Sequence, residues 1–286
     1  MGFQHPSGNT HVTSLPQLTD ILPFVVALLM AGSIAGVLAG LFGIGGGAVL
    51  VPVFYQMLGI LGIDEAIRMH LSVGTSLAII VPTSIRSFMG HRAKGAVDME
   101  LLSAFRFAVP MGVVIAAVVA AYLSSGMLRG IFAVCSLVIA LKLLFGKDNW
   151  KLADNVPGGL GMPIAGWVIG FFSTFMGIGG GVFNNTFMSL FGRPIHQAVA
   201  TSSGVGVLIS IPGMLGYIWA GWGISGLPEF SLGFVNLLMV AIIIPVTLLV
   251  APVGVRLAHA LDKRQLEIGF GIFLIAVAIR FFTSLL

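Results

Sequence analysis

Gly43-Ile44-Gly45-Gly46-Gly47 and Gly177-Ile178-Gly179-Gly180-Gly181 are one pentapeptide met twice, each time inside a long apolar run. Glycine is the poorest helix former after proline. In lipid no water takes up the backbone groups that a broken helix frees. A glycine cluster at membrane depth therefore interrupts a helix where protein or a wet cavity shelters the chain. Two such interruptions at matching positions of two halves point to the binding site of a secondary transporter.

The surrounding composition sets the class. The chain is 57% hydrophobic and 8% charged, with a mean hydropathy of +1.07, whereas a soluble domain carries roughly 25% charged residues. The reading is an all-α polytopic membrane protein embedded in a lipid bilayer. Its 39 glycines are about twice the usual share; outside the two clusters, close helix packing in lipid accounts for them. The net charge of +4 sits in short loops between apolar segments, where it sets topology and does not argue for nucleic acid. The single cysteine, Cys135, excludes an intrachain disulfide and a CxxC site. The first twenty residues hold no Lys or Arg and do not read as a cleavable signal peptide.

Eight apolar stretches approach the roughly 20 residues a crossing needs: Ile21–Phe42, Leu71–Met89, Leu101–Leu123, Met127–Phe145, Gly159–Met176, Gln197–Ala220, Ser231–Val255 and Gln265–Leu285. Ala48–Ile60 and Val182–Phe191, directly after the glycine clusters, are too short and read as half-helices or re-entrant arms. A second internal match supports duplication. His70-Leu-Ser-Val-Gly-Thr-Ser76 resembles His196-Gln-Ala-Val-Ala-Thr-Ser202 at an offset of 126 residues, and the glycine clusters are offset by 134. The expected organisation is a tail at 1–20, a first transmembrane repeat at 21–145, a polar linker at 146–158 and a second repeat at 159–286.

Charge gives the sense of the repeat. If each glycine-broken region enters and returns, or crosses twice, then Arg86–Lys94, Lys142–Lys151 and Arg256–Arg264 share a side. Eleven Lys/Arg then lie on that side and three, Arg68, Arg129 and Arg280, on the other. The positive-inside rule makes the first side cytoplasmic, leaves the basic-free tail extracytoplasmic and inverts the two halves.

The chemistry available is mostly neutral. A helix that starts in mid-membrane offers free N–H groups and a positive dipole end, so Gly45, Gly46, Gly47, Gly179, Gly180 and Gly181 are candidate anion ligands; the plainer reading is a tight packing contact. Thr75, Ser76, Thr201 and Ser202 can donate to an oxyanion without adding charge, although membrane Ser and Thr often bond their own helix. Asn184, beside Asn185, stands where the first half has Leu50, which makes the site unequal between halves. Adjacent helix positions point different ways, so one of the two amides is expected to reach a substrate. His70 and His196 could carry a proton or simply begin a helix near the interface. Arg86 and His91 could draw anions to a mouth or act as topology charges. Every Asp and Glu lies at a segment end or in a loop, which argues against a carboxylate relay and a metal site. No nucleotide-binding or hydrolase motif is present, so no enzyme activity, cofactor or metal is expected.

Taken in order, Ala39-Gly-Leu-Phe-Gly-Ile-Gly-Gly-Gly-Ala48, Gly74-Thr-Ser76, Pro82-Thr-Ser84, His91 with Gly95 and Asp98, the second glycine cluster, Ala200-Thr-Ser202, Ser231-Leu-Gly-Phe-Val-Asn236, Ala251-Pro-Val-Gly254 and Leu257-Ala-His259 resemble the TauE/SafE family of sulfite and sulfonate exporters. The resemblance implies a multispanning carrier of small sulfur-containing or organic anions in a bacterial-type inner membrane, driven by an ion gradient. It departs from symmetry at His91, whose counterpart region is Ala220-Gly-Trp222. The expectation is a secondary transporter of a small sulfur oxyanion, held between two glycine-broken helices and moved by alternating access. A proton or another ion would serve as coupling ion. A passive anion channel, or a carrier of another organic anion, is the rival. The oligomeric state is left open, a homodimer being one option.

Overall fold

The computed structural model describes residues 25–26, 28–37, 47–146, 152–153, 156–259 and 262–285. The expected tail, the break at 38–46 and most of the linker lie outside them. The chain is an all-α polytopic membrane protein. Its helices are α1 (Leu28–Val37), then α2 (Gly47–Ile60), α3 (Glu65–Ala93), α4 (Met99–Tyr122), α5 (Ser125–Phe145), α6 (Gly161–Phe175), α7 (Gly181–Leu190) and α8 (Ile195–Ala220). A two-residue hairpin, β1 (Ser231–Leu232) and β2 (Val235–Asn236), precedes α9 (Leu237–His259) and α10 (Lys263–Thr283).

Local chemistry sets these boundaries. The side chains of Asp64, Asp98 and Ser124 accept from Ala66, Leu101 and Met127 N–H at the starts of α3, α4 and α5, which satisfies amides that a helix start leaves free. Gly62 and Gly192 take positive φ at the ends of α2 and α7. Ile63 N–H then donates to Leu58 O, and Arg193 N–H to Met188 O. The two corners are built alike, 130 residues apart.

Among the described residues α3, α4, α5, α8 and α10 are long and apolar enough to span, and α9 has 23 residues. The expected span Gly159–Met176 is shorter than its apolar run. α6 stops at Phe175 after 15 residues, about 22 Å at 1.5 Å per residue, short of a hydrocarbon core of about 30 Å. The glycine turn ends it. α7 then runs back, and Leu152 N–H, in the segment leading into α6, donates to Leu190 O at its far end. α6 and α7 are thus a helical hairpin. The stretch Ser231–Val255 likewise begins as the β1–β2 hairpin, and its helix starts at Leu237.

The two halves run in opposite senses. Gly74 on α3 faces Tyr217 on α8, Leu77 faces Gly213, Ser84 faces Gly206 and Phe88 faces Gly204, so the two helices are antiparallel. α5 and α10 are also antiparallel. Arg264 donates to Leu143 O (2.9 Å) and Leu144 O (2.5 Å) at one end, and Arg129 donates to Ser284 O (3.2 Å) and Oγ (2.9 Å) at the other.

The halves are also interlocked. A Cβ on Gly170 of α6 would collide with Val109 O of α4, and Gly166 lies against Phe105 and Ala108. In the other half Gly36 of α1 lies against Thr247 backbone of α9, and Gly32 against Ile243. Each pair of glycines, four apart on its helix, lets that helix press onto a long helix of the opposite half, the close approach by which helices associate in lipid. Basic residues follow the same geometry. Arg68 and Arg129 both sit over the Tyr55 ring, at 5.3 and 5.5 Å from its centroid, and Arg129 pairs with Glu65. Arg193 reaches Asp98 (3.8 Å) at the opposite end.

This packing predicts that Gly170→Ala and Gly36→Ala each destabilise the protein by about 1–3 kcal/mol through overpacking. Gly90→Ala, with open space around it, is expected to be neutral or slightly stabilising by helix propensity, by up to about 1 kcal/mol. Thermal unfolding of the three variants in one detergent checks the ranking.

Candidate functional site

The second glycine cluster is a buried turn between α6 and α7. Gly177 (φ 61°) and Gly180 (φ 72°) hold left-handed conformations that side chains rarely adopt. A Cβ on Gly177 would lie 2.8 Å from Val51 and 3.2 Å from the Val73 backbone, and one on Gly180 would lie 2.5 Å from Ile209. Both conformation and space therefore require glycine. The end of α6 is well paired: Gly177 N–H donates to Thr174 O, Ile178 N–H to Ser173 O, and Ser76 Oγ donates to Gly177 O at 2.8 Å. The start of α7 has no side-chain cap. With the carbonyl end satisfied and the amide end uncapped, the turn presents the positive end of a dipole.

The first glycine cluster reaches the same place. Gly45 and Gly46 lie outside the described residues. Gly47 begins α2, and a Cβ there would stand 2.5 Å from Gly177 O, 2.7 Å from Ile178 Cα and 2.9 Å from Ile80. Gly179 packs against Ile80 of α3 and Gly206 of α8, with Ser84 Oγ 3.7 Å from where its Cβ would be. The start of α2 and the turn before α7 therefore meet backbone to backbone, between α3 and α8. No Lys, Arg, Asp or Glu is among these contacts.

The Thr-Ser pairs divide their work. Thr75 Oγ1 accepts from Asn236 N–H (3.1 Å) and Thr201 Oγ1 accepts from Asp98 N–H (2.9 Å). Asn236 Oδ1 in turn accepts from Met239 N–H (2.9 Å), as Asp98 Oδ1 accepts from Leu101 N–H (3.0 Å). The arrangement is repeat-symmetric and crossed: each half's threonine holds the residue that starts a long helix of the other half. Both threonines are completely buried. Ser76 touches the glycine turn, while Ser202 accepts from Asn184 Nδ2 (2.7 Å) and donates to Asn185 Oδ1 (2.7 Å). Although Asn184 and Asn185 are adjacent on α7, both amides reach one hydroxyl, because α8 lies across that face. Gly181 opens α7, one turn before Asn185.

The basic and histidine candidates lie elsewhere. His70 is buried on α3, its Nε2 3.1 Å from Ala120 O and its ring stacked on Phe234 at 4.7 Å. His196, its repeat partner, is exposed at the start of α8. Arg86 is exposed on α3 and His91 is half-buried near its end. None of them is among the groups nearest to Gly47 or Gly177–Gly180. A surface cavity of about 390 Å³ in the 221–233 loop is lined by glycines, apolar side chains and Ser231, and by none of the turn residues. Sequence reasoning did not single out Asp98 and Asn236 as the partners of the threonines. Their cap-forming side chains at the starts of long helices were the available sign.

The family model of the sulfite exporter TauE/SafE matches residues 28–281. The chain belongs to the TauE/SafE family. It is 35% identical over 261 residues to a "Probable membrane transporter protein" of Haemophilus influenzae, covering 91% of this chain and 98% of the relative. It is also 26% identical to a probable membrane transporter protein of Methanocaldococcus jannaschii, covering 87% and 92%. A third, YunE of Bacillus subtilis, is 27% identical over 68% of this chain and 79% of its own. No solved structure matches the chain. This TauE/SafE protein is thus an integral membrane protein of a transporter family.

The crossed threonines give a direct test. Thr201→Val and Thr75→Val each leave a buried N–H without its acceptor and are expected to cost about 1–3 kcal/mol of stability. Thr201→Ser and Thr75→Ser should recover most of it. Unfolding midpoints of the four variants measure this.

Proposed function

We propose that this TauE/SafE protein is a secondary transporter that exports a small sulfur-containing oxyanion, such as sulfite or an organosulfonate. The observation that carries the reading is the meeting of Gly47 with Gly177 and Ile178 beside an uncapped helix start, all buried. Broken helices whose positive ends converge at membrane depth are suited to an anion. Backbone amides of the first turn of α7 and serine hydroxyls would replace part of the anion's hydration shell. Uncharged donors of this kind would hold the anion weakly enough to release it.

The likeness to a sulfite-exporter family supports sulfur oxyanions as the substrate class. The segregation of Arg68 and Arg129 from Arg193 and Arg264 supports a cytoplasmic side at the α3–α4 corner, hence an extracytoplasmic start of the chain and a bacterial-type inner membrane. Residues 21–145 and 159–286 are the repeats, joined by a cytoplasmic linker at 146–158. A proton, or another ion, couples the transport, and His70, buried between α3 and α4, is the group placed to respond to it. The protein works without a cofactor and performs no catalysis.

In proteoliposomes the wild type is expected to move sulfite or sulfoacetate against its gradient when a proton gradient is imposed, which a passive channel cannot do. Gly180→Leu, whose side chain meets both a left-handed φ and Ile209, should insert in the membrane and lose at least about 90% of this flux. Flux equal to the wild type in that variant would remove the turn as the site.

A further inference from the structure

We propose that Ser173 is a substrate ligand, and that with Ser84 and the start of α7 it forms a donor cluster for one oxyanion group at the glycine turn. The inference rests on the anion-transporter reading and assigns that site residues outside the repeated Thr-Ser pairs.

Ser173 is fully buried on α6 and its Oγ has no hydrogen-bond partner. Hydroxyls on membrane helices ordinarily bond a carbonyl one turn back. The neighbouring Thr174 does so, donating to Gly170 O at 2.7 Å, and so do Ser72 and Thr247. Ser173 forgoes that bond. Its Oγ instead lies 3.7 Å from where a Cβ on Gly180 would be, and Gly180 is the residue that caps α7 without a side-chain bond. An unpaired buried hydroxyl is costly, so its place beside an uncapped helix start calls for a third group that accepts from both.

The chemistry of that group follows. Amides at a helix start only donate, and the dipole disfavours a cation. A hydroxyl can donate to the same atom. On the far side of the turn Ser84 Oγ lies 3.7 Å from the Cβ position of Gly179, which adds a second hydroxyl. A sulfonate or sulfite head, with three oxygens around one centre, can accept from both serines and the helix start together. The repeat position of Ser173 is Ala39, so this hydroxyl comes from the second half only, while Ser84 on α3 is the first half's contribution.

The single native cysteine makes the test simple. In a Cys135→Ser background, Ser173→Cys is treated in membrane vesicles with the anionic reagent sulfonatoethyl methanethiosulfonate, with the exposed Ser225→Cys as control. Labelling that sulfoacetate slows in a saturable way is expected. No labelling at 173 while 225 reacts would overturn the assignment and leave the transporter reading standing. Labelling unaffected by sulfoacetate, sulfate or acetate would place 173 on a water path and refute the oxyanion site. A second arm uses Ser173→Ala, which removes only the hydroxyl. Its half-saturation for sulfoacetate uptake into proteoliposomes should rise about tenfold or more, as expected for a lost bond to a charged group. An unchanged value refutes the ligand role. Wild-type vesicles that transport none of these anions would instead refute the transporter reading beneath it.

Discussion

A polar backbone group in lipid must find its partner inside the protein, and the architecture follows from where the glycine breaks force that to happen. Breaking a helix at Gly177–Gly180 frees carbonyls and amides at one depth. The carbonyls are met by turn amides and by Ser76 of the other half. That bond forms only because Gly47 and Gly177 allow backbones to touch where any Cβ would intervene. Gly32 and Gly36, like Gly166 and Gly170, extend the same approach along α1 and α6. The glycines are thus both the cause of the break and the means of sheltering it.

Crossing is the second consequence. Thr75 holds the start of α9 and Thr201 the start of α4, so neither half can bury its own helix starts without the other. A sequence repeat cannot reveal this by itself. Duplication preserves a latch as faithfully as it preserves a ligand, and the recurrence of Thr-Ser in both halves reads equally well either way. The structure separates the roles: the threonines bind backbone, and Ser76 faces the turn.

Much of the fold was legible because it depends on long apolar runs, on glycine clusters and on charged ends, all strong local patterns. The breaks, the re-entrant second arm and the opposite sense of the halves could be argued from these alone. Gly159–Met176 was overestimated as a span because apolarity does not register where a turn begins, and α6 stops at the glycines within the run. The site was less legible. Asn184 and Asn185 converge on Ser202 because α8 crosses their helix face, which helix periodicity cannot show. Ser173 escapes a search for symmetry because Ala39 occupies its matching place. His70 and His196 are equal in the sequence and opposite in burial, since only His70 lies under Phe234.

For the alternating access expected of a secondary transporter, the crossed packing would set a limit. Moving one intact repeat against the other would lift Gly166 and Gly170 off α4, lift Gly32 and Gly36 off α9, and break both threonine bonds at once. Grouping α4 with α6, α7 and α8, and α9 with α1, α2 and α3, keeps all of these contacts within rigid units. It also keeps the Arg193–Asp98 pair and the Asn184–Ser202–Asn185 chain within one unit. The seam between the two groups then runs along α3 and α8, through the contact of Gly47 with Gly177, and is crossed by Ser76 to Gly177 and by His70 to Ala120. The units that preserve these glycine contacts and both threonine bonds are therefore mixed from both halves, and the surface on which they would part is the one that holds the glycine turn.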